Sequence, residues 1–142
     1  MRKIASFILL LILIFTTGCS GFSSPKIEDY TWEMSSVAYV EDEQLVMVAV
    51  GESDPVYPEA KVIDMILTAS NGKITIADKT NNKTYEGTYE VESKNHESTI
   101  YKITLDGKDG YATVAMTTYA DDSETPTLPI NLGDYSMYFY AN

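Results

Sequence analysis

Short segments of alternating polar and apolar residues run through the chain from about residue 30 onward, and they restrict it to a strand-based fold. The clearest is residues 84–92, in which Tyr85, Gly87, Tyr89 and Val91 fall on one face and glutamates and threonines on the other. Successive side chains of a strand point to opposite faces of a sheet, so a period of two predicts a half-buried strand. Thr, Tyr, Val and Ile, which favour strands, are frequent here.

Turn signals separate these segments at short and fairly even spacing. Asn71-Gly72 is the strongest of them, because both residues accept the positive φ of a tight hairpin turn. Residues 59–67 follow Pro58 and could begin a helix, but their β-branched residues and the Asn-Gly that follows favour a strand. The predicted strands are 31–40, 44–50, 61–69, 73–77, 84–92, 99–105, 111–119, 127–132 and 134–141.

Eight or nine antiparallel strands in one small domain favour a closed barrel, because closure removes the exposed strand edges. We therefore predict an all-β fold, a single antiparallel up-and-down barrel over residues 30–142. With eight strands, the interior of such a barrel is either filled by side chains or holds one small ligand.

The N-terminus has the pattern of a secretory signal. Arg2 and Lys3 precede an apolar stretch over residues 4–15, which is too short for a comfortable transmembrane span. The motif Thr17-Gly18-Cys19 then resembles the lipobox of bacterial lipoproteins, although Thr16 stands where that family usually has Leu. The chain's only cysteine lies where a lipobox needs it.

The lipobox resemblance implies cleavage before Cys19 and a diacylglyceryl group on its sulfur. Residues 1–18 would then be the signal peptide, and residues 19–29 the lipidated Cys19 with a flexible tether. The membrane is thereby an expected partner, and the expected location is extracytoplasmic, on the outer face of the bacterial cell membrane. Two acyl chains are sufficient for stable anchoring.

Charge and composition exclude several functions. The chain has 21 Asp and Glu against 10 Lys and Arg, a formal charge of −11, so a basic surface for nucleic acid is disfavoured. One cysteine and one histidine exclude a disulfide framework and a multi-cysteine zinc site. No nucleophile motif or phosphate loop is present, and we expect no enzymatic activity, no cofactor and no metal.

The strand pattern also resembles that of small lipocalin-like barrels. The resemblance rests on residues 30–34 around Trp32, on 67–75, on 85–89 and on the closing 134–140, although Tyr30 stands where lipocalins have Gly. It implies a calyx-like barrel with Trp32 packed near its floor. It does not transfer a ligand, because fold does not determine function.

Two functions remain open for such a barrel. One is a lipid-anchored, non-catalytic domain that binds a small, partly apolar ligand in its bore. The alternative is a protein-interaction or structural module of the envelope, with its interior packed by its own side chains. Aromatic residues of the strands are the candidate ligand contacts, although core packing is the more common role of such residues; they are Trp32, Tyr85, Tyr89, Tyr101, Tyr111 and Tyr138.

The anchor hypothesis makes a direct prediction. Replacing Cys19→Ser removes the acylated sulfur, so the protein should lose its lipid and leave the membrane fraction. Mass spectrometry of the protein and fractionation of its host cells check both. A Cys19→Ser protein that stayed membrane-bound without a lipid would contradict the hypothesis.

Overall fold

A computed structural model describes residues 24–142 of the chain, so the predicted signal peptide and Cys19 lie outside the described residues. The described part is all-β apart from one turn of 3-10 helix, which confirms the predicted fold class. That helical turn is Ile27–Asp29. The strands are β1 Trp32–Glu41, β2 Gln44–Leu45, β3 Val48–Val50, β4 Lys61–Ile63, β5 Met65–Ser70, β6 Lys73–Asp78, β7 Lys83–Lys94, β8 Ser98–Leu105, β9 Lys108–Thr118, β10 Glu124–Leu132 and β11 Tyr135–Ala141.

Eight of these strands form a closed antiparallel barrel. Neighbours follow the order β11-β10-β9-β8-β7-β6-β5-β1, and β11 also pairs with β1, which closes the ring. The closing register runs from Trp32 opposite Ala141 to Tyr39 opposite Tyr135, with one irregularity between Met34 and Ser36. The predicted up-and-down barrel is confirmed. Residues 61–69 are not helical, but the single strand predicted there is divided at Asp64 into β4, which pairs with β3, and β5, which belongs to the barrel.

The segment expected as one strand over 44–50 is divided instead. Gln44–Leu45 forms a hairpin with β1, whereas Val48–Val50 pairs in parallel with β4. β1 and β5 pair at only two positions, Trp32 with Leu67 and Glu33 with Ile66. The rest of β1 therefore lacks β5 as a neighbour, and this accounts for the division. Beyond these pairs β3 lies against β1.

Tight turns join the strands as the sequence indicates. Asn71 and Gly72 both have positive φ, 51° and 76°, which confirms the hairpin predicted at Asn-Gly. Asp106 and Gly107 repeat the arrangement between β8 and β9, with φ of 50° and 76°. Short turns of this kind connect neighbouring antiparallel strands directly, and so produce the up-and-down order.

Large apolar side chains fill the bore. The side chains buried to less than 2 % exposure come from seven of the eight barrel strands and from the helical turn. Close packing of this kind leaves little free volume. The largest of these apolar side chains are Trp32, Phe139, Ile27, Leu67, Ile74, Ile76, Ile103, Leu128, Ile130 and Val114.

Two strand glycines permit close approach of neighbouring backbones. A Cβ on Gly87 would lie 2.0 Å from the Thr104 carbonyl oxygen, and one on Gly110 would lie 2.0 Å from that of Asn131. A glycine inside a strand commonly marks such an approach. Gly87 is therefore a structural position in the barrel wall, in agreement with its place between Tyr85 and Tyr89.

These distances predict a severe effect of Gly87→Ala. The new methyl group meets a backbone oxygen that cannot rotate away, so the free energy of unfolding should fall by about 3 kcal/mol. Gly133→Ala is the control, because space around Gly133 is open and only its φ of 56° opposes the change; its cost should be about 1 kcal/mol. Urea unfolding of both variants measures the difference, and equal losses would contradict the packing argument.

Candidate binding site at the barrel mouth

One end of the barrel is closed by the chain that leads into β1. Ile27 is fully buried there, its carbonyl oxygen accepts a hydrogen bond of 2.8 Å from the Trp32 indole nitrogen, and its own N–H donates to the Tyr101 hydroxyl at 3.2 Å. Ser24 is buried as well, and its hydroxyl lies 3.1 Å from that of Thr99. Residues 24–29, which we expected in the tether, thus pack against the barrel instead.

Three of the six candidate ligand contacts meet at this closed end. Trp32 is fully buried in the core, at the end of the bore that Ile27 fills. Tyr101 holds the Ile27 N–H, and Tyr89 packs edge-on against Tyr101 with 5.6 Å between ring centroids. The contacts described for these three side chains are with the protein's own residues, so the group has a structural role at the closed end.

Tyr89 also has a strongly shifted acidity. Burial raises the pKa of its hydroxyl to about 12, and the hydrogen bond that this hydroxyl donates to the Glu28 carboxylate contributes in the same direction. The phenol therefore remains neutral across the physiological range. Its bond to Glu28 is a further link between the entering segment and the barrel wall.

The remaining three candidates are dispersed. Tyr85 lies near the start of β7, at the opposite end of the barrel from Ile27, and lines a recess there. Tyr111 is 53 % exposed. Tyr138 alternates with buried Met137 and Phe139 along β11, so its side chain points to the outer face.

The open end, which we call the mouth, is where β1, β6, β8 and β10 end and where β5, β7, β9 and β11 begin. Its deeper recess has a volume of about 130 Å³ and a mainly apolar lining that includes Met65, Tyr85 and Tyr135. An adjoining recess of about 190 Å³ shares these three residues and adds Tyr39 and Lys61.

The size of the recess limits what can enter it. Drug-sized ligands occupy pockets of about 300–1,000 Å³, whereas an apolar cavity of about 150 Å³ holds benzene. The deeper recess, at about 130 Å³, is therefore suited to a single ring or a short alkyl group. It is too small for a lipid chain, and the packed bore beneath it offers no extension.

Three lysines lie over three tyrosines around the mouth. Such ammonium–ring contacts are attractive because the ring face is electronegative. Two of the rings, Tyr39 and Tyr135, also stack on each other with centroids 5.3 Å apart. The contacts, from nitrogen to ring centroid, are Lys61 to Tyr39 at 5.3 Å, Lys83 to Tyr85 at 4.3 Å and Lys108 to Tyr135 at 4.3 Å.

Tyr39 carries an unsatisfied polar atom. Its side chain is 5 % exposed, and among the described residues no group meets hydrogen-bond geometry with its buried hydroxyl. The Lys61 ammonium is a polar neighbour, and its interaction with the Tyr39 hydroxyl is the main cause that raises the pKa of Lys61. An ammonium group has only donors, so the hydroxyl proton of Tyr39 still lacks an acceptor. Nearby Asp78 is also buried, but it accepts bonds from the Asn81 backbone N–H at 3.0 Å and amide nitrogen at 2.8 Å. Asp78 therefore holds the β6–β7 turn, and Tyr39 is the polar group still available.

Sequence reasoning did not identify most of the mouth. Tyr39 and Tyr135 stack although 96 positions separate them, and only the closing register of β1 with β11 brings them together. The lysines stand in or beside turns, where a solvated cation is ordinary. Only Tyr85 connects the sequence candidates with this site.

Comparisons with known proteins add no assignment, because no family model, no curated protein and no solved structure matches the chain.

Within residues 24–142, no helix has the length and apolar character needed to cross a membrane. Across the same span, no group of three or more His, Cys, Asp or Glu is arranged to hold a metal ion.

The two buried tyrosine hydroxyls predict opposite effects on stability. Tyr101→Phe leaves the buried Ile27 N–H without its acceptor and should lower the free energy of unfolding by about 1–2 kcal/mol. Tyr39→Phe removes an unpartnered hydroxyl at nearly constant volume and should leave that free energy unchanged or raise it by about 1 kcal/mol. Chemical denaturation of both variants measures this contrast, and a marked loss in Tyr39→Phe would show that its hydroxyl has a partner.

Proposed function

We propose that this protein is a lipid-anchored, non-catalytic interaction domain of the bacterial envelope. The observation that carries the proposal is the packed bore, in which side chains such as Trp32, Phe139 and Ile130 are fully buried. A barrel filled by its own residues has no room for a ligand of ordinary size, so its contacts lie at the mouth and on the outer surface. The barrel is then a rigid scaffold that presents these surfaces.

The entry of the chain defines how such a domain stands on a membrane. Cys19 and Ser24 are five positions apart, a distance that a fully extended chain spans with about 17 Å. Because Ser24 is held at the closed end by Thr99, a lipid on Cys19 keeps that end next to the bilayer. The mouth then points away from the membrane, toward partners in the envelope.

The charge of the domain supports attachment through the lipid. Beyond residue 18 the chain has eight lysines, no arginine and 21 acidic residues. An anionic lipid surface repels such a domain, so its attachment depends on the lipid rather than on a basic face. This leaves the barrel's outer surface free for protein contacts.

An exposed apolar arm beside the mouth is the best surface for a protein partner. Leu45 is 71 % exposed on the hairpin that extends β1, directly opposite Val40, which is itself 45 % exposed. Met47 and Tyr57, in the segment that follows, are further apolar residues that are about half exposed. Exposed apolar residues grouped in this way are typical of interaction sites.

Small-ligand binding is the second candidate function. The recess at the mouth favours it, because its lining is apolar and has polar groups at the rim. Its volume of about 130 Å³ restricts this function to a small molecule or to one group of a larger one.

Site-specific crosslinking in living cells tests the interaction role. A photoreactive phenylalanine replaces Leu45 in the full-length chain, and a second variant carries it at Val91, which is also exposed, at 58 %, but lies in the closed-end half of β7. We expect one discrete protein adduct from position 45 and none of that mass from position 91. No adduct at 45, or the same adducts from both positions, would contradict an interaction surface beside the mouth.

A further inference from the structure

Within residues 24–142, no carboxylate lies within 4.0 Å of the three lysines at the mouth, although the chain is rich in acids. Among the described residues, the only lysine within 4.0 Å of a carboxylate is Lys79, which lies 3.4 Å from Asp64. Lys61, Lys83 and Lys108 instead lie over tyrosine rings at the rim. The Tyr39 hydroxyl, and to a smaller extent Glu41, raises the pKa of Lys61. Because no carboxylate lies within 4.0 Å of these three ammonium groups, each keeps donors for an acceptor that comes from outside.

The mouth has hydrogen-bond donors that lack an acceptor within the described part of the protein. An ammonium group has three donors and no acceptor, and the buried Tyr39 hydroxyl adds a donor without a partner. Each oxygen of the Asp78 carboxylate already accepts one hydrogen bond from Asn81. Glu41 and Asp106 also lie at the rim, and both residues are exposed.

We propose that the mouth binds a small amphipathic carboxylate. Its apolar part, of about the size of one aromatic ring, occupies the recess beside Met65, Tyr85 and Tyr135. Its carboxylate accepts hydrogen bonds from Tyr39 and Lys61, which line the adjoining recess. This inference deepens the proposed binding role by naming the chemistry of the group that the mouth receives. It does not depend on the lipid anchor.

The dimensions of the recess support a ligand of this size. A volume of about 130 Å³ is close to that of cavities that hold benzene. The adjoining recess of about 190 Å³, lined by Tyr39 and Lys61, leaves room for the polar end. A buried hydroxyl left without a partner is unfavourable, and an incoming carboxylate oxygen would remove that deficit.

Titration calorimetry with matched probes tests the proposal. The full lipidated chain is held in lipid nanodiscs, with empty nanodiscs as the blank, and is titrated with 3-phenylpropionate. The comparison compounds are 3-phenyl-1-propanol, which lacks the charge, 3-phenylpropylamine, which reverses it, and propionate, which lacks the ring. We expect binding of 3-phenylpropionate with a Kd at least about tenfold lower than that of any other probe, because a charge-assisted hydrogen bond contributes about this factor.

Two variants locate the site. Tyr39→Phe should weaken binding of 3-phenylpropionate about tenfold, because it removes the donor without changing the recess. Tyr111→Phe, at an exposed tyrosine outside the recess, should leave the Kd unchanged.

Absence of 3-phenylpropionate binding, tighter binding of the amine, or equal Kd values in wild type and Tyr39→Phe would overturn the proposal. A crosslinked partner at position 45 together with no probe binding would leave the interaction role standing and reject only this ligand. Probe binding without a crosslinked partner would do the reverse.

Discussion

Pairing of the first strand with the last is the constraint on which this structure depends. β1 joins β11 from Trp32 opposite Ala141 to Tyr39 opposite Tyr135, and this contact turns a row of hairpins into a closed wall. Closure encloses the bore, and the bore can then bury Trp32 and Phe139 completely. The same register places Tyr39 against Tyr135, so it assembles the core and the mouth together.

The two ends of the barrel follow from where the chain enters it. The segment from Ser24 to Asp29 closes one end through Ile27, which is bonded to Trp32 on one side and to Tyr101 on the other. That end is committed to internal contacts. In the described part of the chain, the other end keeps a small apolar recess, lysines with no carboxylate within 4.0 Å and a buried hydroxyl without an acceptor, and our binding proposal rests on these features.

The sequence predicts much of the fold because its signals are local. Alternation over residues 84–92 and the Asn71-Gly72 turn depend only on neighbours, and both agree with the structure. The division of 44–50 into β2 and β3 could not be predicted, because it follows from how β1 and β5 diverge in the wall. The residues of the mouth could not be predicted for the same reason, because Lys61, Tyr39 and Tyr135 meet only through long-range pairing.

The candidate ligand contacts were chosen because they are aromatic, and in the structure they have different roles. Residue type alone does not distinguish these roles. A strand tyrosine can hold the closed end, as Tyr101 does, line the mouth, as Tyr85 does, or face outward, as Tyr138 does. The role depends on which face of the strand the tyrosine is on and on how far along the barrel axis it lies. Neither property can be predicted before the register of all eight strands is known.

The central claim is that the bore is filled by the protein's own side chains. Native mass spectrometry of the full chain, purified gently from its own host, tests it most directly. The account predicts the mass of the lipidated polypeptide, with no bound molecule larger than the mouth recess can hold. A retained molecule of lipid size within the folded protein would contradict a packed bore. It would instead support binding of a ligand inside the barrel.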